Sequence, residues 1–308
     1  DAKGEPCRPS RILLQTQAAD LPARVIHFIK ETPDIPLQPS PPWARANWKL
    51  SPPSDAPANK AWDHVSPSTL KSYLACPTRF YFSKVRGWEK FETFDGELSA
   101  GAFGDLIHAV LRQWGDDPQS RNIENASKLR CSWLELLKKE AQSRFGSTIS
   151  PLIRLQIIAA EERLAAFSQK QAEEYQRGWR VVDVEKILDD QLVFDGIPVH
   201  MRVDRIDRNA EDGRVRVIDY KTGKTSLDPR NAHLRVWSEA KHPRPLGPLC
   251  VVKPSGRKES YCCWTDLQLP LYAAAVQAVG KLAAPPEACY VLMPEAVGET
   301  RFAVFENL

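Results

Sequence analysis

No run of apolar residues in this chain is long enough to span a bilayer, so it contains no candidate membrane helix. No charged-then-apolar leader opens it. It begins at Asp1 rather than Met, and the expectation is a domain excised from something longer. None of the seven cysteines (7, 76, 131, 250, 262, 263, 289) forms a C-x-x-C pair, and their number is odd. Their spacing matches neither a secreted disulfide framework nor a zinc site, so reduced thiols in a cytoplasmic protein are expected. Net charge is also scarce, at +3, and excludes no class of partner. No internal repeat is visible.

What is present is the composition of an ordinary globular protein, 43% hydrophobic and 26% charged over 308 residues. That length holds one large domain or two small ones with a substantial core. Charge is unevenly spread. Between Lys224 and Glu259 eight Lys or Arg stand against three acids, a local excess of five positive charges. Such a segment suits a polyanionic partner, or equally a solubilising loop.

An N-terminal stretch, RILLQTQAADLPARVIHFIK, mixes strand and helix character and suggests no role. Nine prolines between Pro33 and Pro67 mark an extended connector, with Trp43, Trp48 and Trp62 placed to pin it down. The expected organisation is therefore an N-terminal segment and Pro-rich arm over 1–65 and one domain over 66–308, with a basic insertion at about 224–262. A helix opens at the capping Ser66 and should break at Pro77. A second, from about Ser99 to Trp114, buries Phe103, Leu106, Ile107, Val110, Leu111 and Trp114 on one stripe. Gly104 and His108 lie one turn apart at its edge, where the glycine is expected to leave room beside the imidazole. A histidine there is either structural or a ligand. Two further helices are expected around Glu124–Arg144 and Pro151–Arg177.

Period-two alternation then predicts consecutive strands of a meander in WRVVDVEK, QLVFDG, IPVHMRVDRI and GRVRVIDYK, with Glu185 on the first. Trp264 to Val279 returns to helix, and strands near 289–293 and 302–305 close the chain. The chemistry concentrates in MRVDRIDRNAEDGRVRVIDYKTGK, residues 201–224, two strands joined by an Asp212-Gly213 turn. Asp219 and Lys221 leave the same face of one strand, and Asp204 lies within reach across the hairpin. Alternating Asp and Lys can be a solvated face with surface ion pairs. Otherwise, two carboxylates and an ammonium converge at a cost that a divalent cation would relieve. The lysine would then orient or help deprotonate a water.

Taken together, SPSTLKSYLACPTRFYF, GAFGDLIH, MRVDRID, VIDYKTGK and QLPLY resemble the RecB-like branch of the PD-(D/E)xK nuclease superfamily, near the nuclease domain of AddB-type helicase-nucleases. The motifs cover roughly residues 66–280. The resemblance implies a restriction-endonuclease-like α/β fold, a mixed central sheet flanked by helices. It implies that Asp204 and Asp219 bind Mg2+ or Mn2+, with His108 and the main-chain carbonyl of Tyr220 as further ligands. Lys221 would position the attacking water and steady charge on the phosphate. Gln268 and Tyr272 would hold the DNA strand or brace the site, and Glu185 is a weaker supporting acid. An imidazole ligand shifts preference somewhat towards Mn2+.

The implied activity is metal-dependent cleavage of DNA at single-stranded ends, beside helicase domains of a longer parent or a partner subunit. A silent DNA-binding or scaffolding domain, and a hydrolase of RNA or nucleotides, are the alternatives. Met201 and Val203 depart from the glycine and proline common at those positions. AddB-type domains also carry an iron-sulfur cluster on one cysteine of the opening helix and three after the QxxxY helix. Here Cys76 has only Cys289 to follow Tyr272, so no cluster is expected.

Overall fold

Helices in this chain begin where the sequence supplies caps. The computed structural model describes residues 16–29, 62–88, 96–224, 228–238, 249–252 and 260–305, without the side chains of 27–29, 249–252 and 260. Prolines 33–57, Trp43, Trp48 and most of the basic segment lie outside the described residues. The chain divides into Asp1–Ala58 and Asn59–Leu308. The first unit contains helix α1 (Leu21–Ile29).

In the second unit, α2 (Pro67–Ala75) starts at Ser66, whose hydroxyl accepts the Thr69 N–H, with Pro67 in the first turn where no donor is needed. Cys76 is extended (φ −167°, ψ 108°), so Pro77 interrupts the helix and a short α3 (Pro77–Phe80) and π-turn (Tyr81–Val85) follow. Trp62 stacks on Phe80. Serine or asparagine caps also open α4 (Ala100–Asp116), α5 (Ala126–Phe145) and α6 (Pro151–Gln176).

Five strands form the central sheet in the order β1-β4-β5-β9-β10: β1 (Trp179–Ile187), β4 (Arg202–Asn209), β5 (Val215–Lys221), β9 (Glu287–Leu292) and β10 (Arg301–Val304). Every pairing is antiparallel except β5 with β9, which is parallel and needs a long crossover. That crossover contains α7 (Pro229–His233), a small sheet of β6 (Leu234–Val236), β8 (Ser260–Trp264) and β7 (Leu249–Val252), and α8 (Gln268–Gly280). The basic insertion thus includes regular structure at both ends, and α8 begins at Gln268 because Trp264 is still strand.

The expected meander is not a single sheet. Val193–Phe194 (β2) and Ile197–Pro198 (β3) form a separate ribbon between β1 and β4. Val193 and Phe194 are exposed, so their alternation reflects a surface hairpin rather than a core strand. β5 is buried on both faces, as a central strand with helices above and below should be. On one face, Leu106, Ile107, Trp114, Trp133, Leu164 and Phe167 of α4, α5 and α6 cover Ile218, Tyr220 and Val291. On the other, Leu269, Tyr272, Ala275 and Val276 of α8 cover Val203, Val217, Tyr290 and Leu292. The architecture is the expected mixed α/β one, a central sheet between two helical layers.

Candidate active site

The β-sheet register, more than any single motif, assembles the site. Val184 and Lys186 of β1 pair with Arg205 and Val203 of β4, which sets Glu185 opposite Asp204. Arg205 pairs with Ile218, which sets Asp204 opposite Asp219. Asp219 in turn pairs with Tyr290 of β9. Glu185, Asp204 and Asp219 therefore form a row of carboxylates across three adjacent strands. Glu185 has φ 48°, in the left-handed region, a conformation costing roughly 1–2 kcal/mol for a residue with a Cβ.

Burial drives the Asp204 carboxyl up to about 7, and the charge of Asp219 adds to this. His108 and the Tyr220 N–H, which donates to Asp204 Oδ2 at 3.0 Å, oppose the rise. His108 reaches the row from α4. Its Nδ1 lies 3.6 Å from Asp204 Oδ2, and its Nε2 lies 3.2 Å from the Tyr220 carbonyl. Donation from Nε2 to that carbonyl leaves the Nδ1 lone pair on the Asp204 side, as a metal-ligating imidazole requires.

His108, Glu185 and Asp204 each offer a donor atom, and the three atoms lie within 4.8 Å of one another. This nitrogen-and-oxygen set fits a hard divalent cation, which would also relieve the carboxyl that burial and like charge have driven up. Glu185 is thus drawn into the candidate site alongside His108 and Asp204. Asp219 is 3% exposed, and its Oδ2 is ion-paired to Lys221 Nζ at 2.6 Å.

Burial alone would lower the pKa of Lys221, but Asp219 outweighs it and holds the ammonium's pKa raised. Lys221 also donates to Gln268 Oε1 at 3.1 Å and lies 4.9 Å above the Tyr290 ring. Gln268 Nε2 donates to the Tyr272 hydroxyl at 3.0 Å. Tyr272 is buried, and burial followed by Asp219 and Asp204 raises its pKa. Both residues of the Q-x-x-x-Y pair are therefore linked to Lys221 through one chain of hydrogen bonds.

The chain's motifs did not reveal the next layer. Asp266 Oδ1 accepts the Gln268 N–H at 2.8 Å, and Oδ2 pairs with Lys71 at 2.7 Å. His233, from the insertion, lies 2.8 Å from the Asp266 carbonyl and 2.6 Å from the Tyr290 hydroxyl. An acid two residues before a helix start was a readable signal for Asp266, whereas nothing local marks His233. Gly104 has a different reason from the expected one. A Cβ there would lie 3.1 Å from Thr222 Oγ1, so the glycine admits the residue following Lys221 rather than making room for His108.

Among the described residues, Cys76, Cys131, Cys262, Cys263 and Cys289 are free thiols. Cys289 is core, and burial pushes its thiol up to about 12. No described helix is long and apolar enough to cross a membrane.

No curated protein matches the chain. A family model described as the PD-(D/E)XK nuclease superfamily matches residues 64–306, spanning α2, the row of carboxylates and the closing strands. The chain belongs to the PD-(D/E)XK nuclease superfamily.

Proposed function

We propose that this chain is a divalent-cation-dependent deoxyribonuclease of the RecB-like branch. It hydrolyses phosphodiesters from single-stranded ends beside the helicase domains of a larger AddB-type machine, in the cytoplasm. The observation that carries the reading is the row Glu185–Asp204–Asp219 with Lys221 paired at its end. Half-buried and buried acids in line across three strands are costly unless a cation and a charged substrate meet there.

His108, Glu185 and Asp204 would hold Mg2+ or Mn2+, with Asp219 next in the row. The bound cation supplies charge neutralisation at the phosphate and makes a water more acidic. Asp219 holds the Lys221 pKa raised, which supports a role as a cationic donor. Two of its three N–H groups face Asp219 and Gln268, and the third serves the attacking water or the reacting phosphate oxygen. Tyr272 fixes Gln268, and Gln268 fixes Lys221. The Tyr220 carbonyl selects the His108 tautomer.

The test is digestion of end-labelled single- and double-stranded DNA, and of RNA, with Mg2+, Mn2+ or EDTA. Wild type is run beside Asp204→Ala. Cleavage that needs a cation and is lost in the variant supports the reading, and the ladder gives its polarity. Salt-sensitive DNA binding without cleavage under any condition overturns it in favour of a binding module.

A further inference from the structure

A cavity of about 330 Å3 opens beside the cation donors, lined by Asp105, His108, Arg112, Arg144, Glu185 and Arg202. This size lies at the lower end of small-ligand sites. The three arginines come from three elements: α4, the end of α5 and the start of β4. Two are held in place by their neighbours. Arg144 Nε pairs with Glu140 at 2.7 Å, and a second nitrogen donates to the Asp105 carbonyl at 3.3 Å. Arg202 Nε pairs with Glu185 at 2.7 Å. Arg112 lies one turn beyond His108 and makes no hydrogen bond among the described residues.

A guanidinium carries five donors in a planar fork, and these contacts occupy two on Arg144 and one on Arg202. The charges beside the cavity are matched: Arg112, Arg144 and Arg202 stand against Asp105, Glu185 and Glu140, the last shared by Arg144 and Arg112, and Glu185 is also a cation donor. A cation held by Glu185 would leave Arg202 less neutralised and the cavity more positive. A group with several charged oxygens in fork geometry fits this, and phosphate is that group in a nuclease substrate.

We propose that Arg112, Arg144 and Arg202 form a phosphate subsite that holds the phosphate beside the one being hydrolysed. The occupant is a backbone diester or a terminal monoester of the substrate strand. The proposal rests on the nuclease reading above. Arg112 is the residue to test, because Arg144 also ties α4 to α5 and Arg202 also holds Glu185.

The experiment uses the full chain with Mg2+ or Mn2+ and a set of single-stranded DNA oligonucleotides. Each member of one arm carries a single neutral methylphosphonate at a successive linkage. The other arm compares 5′- and 3′-terminal phosphate with hydroxyl. Wild-type KM should rise about tenfold when one particular linkage is neutralised, for a diester, or when one terminal phosphate is removed, for a monoester. Such a rise corresponds to losing one charge-assisted contact. Arg112→Ala should raise KM by a similar factor with kcat within twofold, and should lose sensitivity at that one position alone. Arg112→Lys, which keeps the charge without the fork, should fall between.

An Arg112→Ala enzyme with unchanged KM overturns the subsite, as does one with raised KM that keeps full sensitivity at every position. A wild type that cleaves none of the oligonucleotides overturns the nuclease reading itself and the subsite with it.

Discussion

Lys221 at the end of β5 donates a 3.1 Å hydrogen bond to the amide oxygen of Gln268, the first residue of α8. The insertion, with its own helix and small sheet, separates the two in sequence, and only the packing of α8 on the sheet joins them. The amide holds one of the ammonium's donors while Asp219 holds another.

Gln268→Ala should therefore lower kcat by roughly ten- to a hundredfold and leave KM within twofold, because a hydrogen bond to a charged group is worth roughly 1.5–3 kcal/mol. Lys221→Ala and Asp219→Ala should remove cleavage while retaining DNA binding. Steady-state kinetics and anisotropy on one oligonucleotide measure both. A Gln268→Ala enzyme with unchanged kcat would contradict the bracing role.

Asp204 links stability to pH. Its carboxyl sits up at about 7 when folded against a usual 3.8. The folded state keeps a proton that the unfolded chain gives up early. This contribution is full below pH 3.8 and is lost as pH rises through about 7. Without added cation, Asp204→Asn should then be more stable than wild type at pH 8, by on the order of 2 kcal/mol, and inactive. The gain should vanish near pH 4. Urea unfolding at the two pH values checks this, and an equal effect at both would remove the electrostatic cause.

His233 works in the opposite direction. Burial lowers its pKa below 6.5; Asp266 opposes this, while Lys221 and Lys71 reinforce it. Neutral imidazole suits its contacts, since one nitrogen donates to the Asp266 carbonyl and the other accepts from the Tyr290 hydroxyl. The unfolded chain takes up a proton near pH 6.5 that the folded state resists, so stability is full above that value and declines below it. His233→Gln can keep both contacts without titrating. Between pH 7 and 5, wild type should lose more stability than the variant. Parallel slopes of Tm against pH would refute this.

On the helical face opposite α8, Asp207 lies between two buried guanidiniums. Arg205 pairs with both of its oxygens at 2.6 and 2.7 Å, and Arg216 with one at 2.8 Å. Glu174 of α6 completes the network through Arg216. Asp207→Asn leaves those charges under-neutralised and should cost about 3–5 kcal/mol. The urea midpoint should fall with an unchanged m-value. A midpoint within experimental error of wild type would show that the network carries little stability.

Much of the frame was legible because it depends on local rules. Ser66, Ser99 and Ser150 cap the helices they precede, Pro77 interrupts one, and Gly213 takes φ 74° in the β4–β5 turn. Alternation put Asp219 and Lys221 on one face. Alternation could not name strand partners, so the surface ribbon of Val193, Phe194, Ile197 and Pro198 looked like part of the main sheet. Glu185 was visible as an acid on a strand, but its place opposite Asp204 depends on a register shift between Val181 and Asp183.

Caps, turns and side-chain period act over a few residues, so the long helices, the acidic hairpin and the residue types of the candidate site could be read from the chain alone. Tertiary packing was needed to bring Glu185 to His108 and Asp204, to return His233 from the β5–β9 crossover to Tyr290, and to gather Arg112, Arg144 and Arg202 around one cavity. Those relationships come from strand register and helix packing between distant segments, and no short-range propensity encodes them.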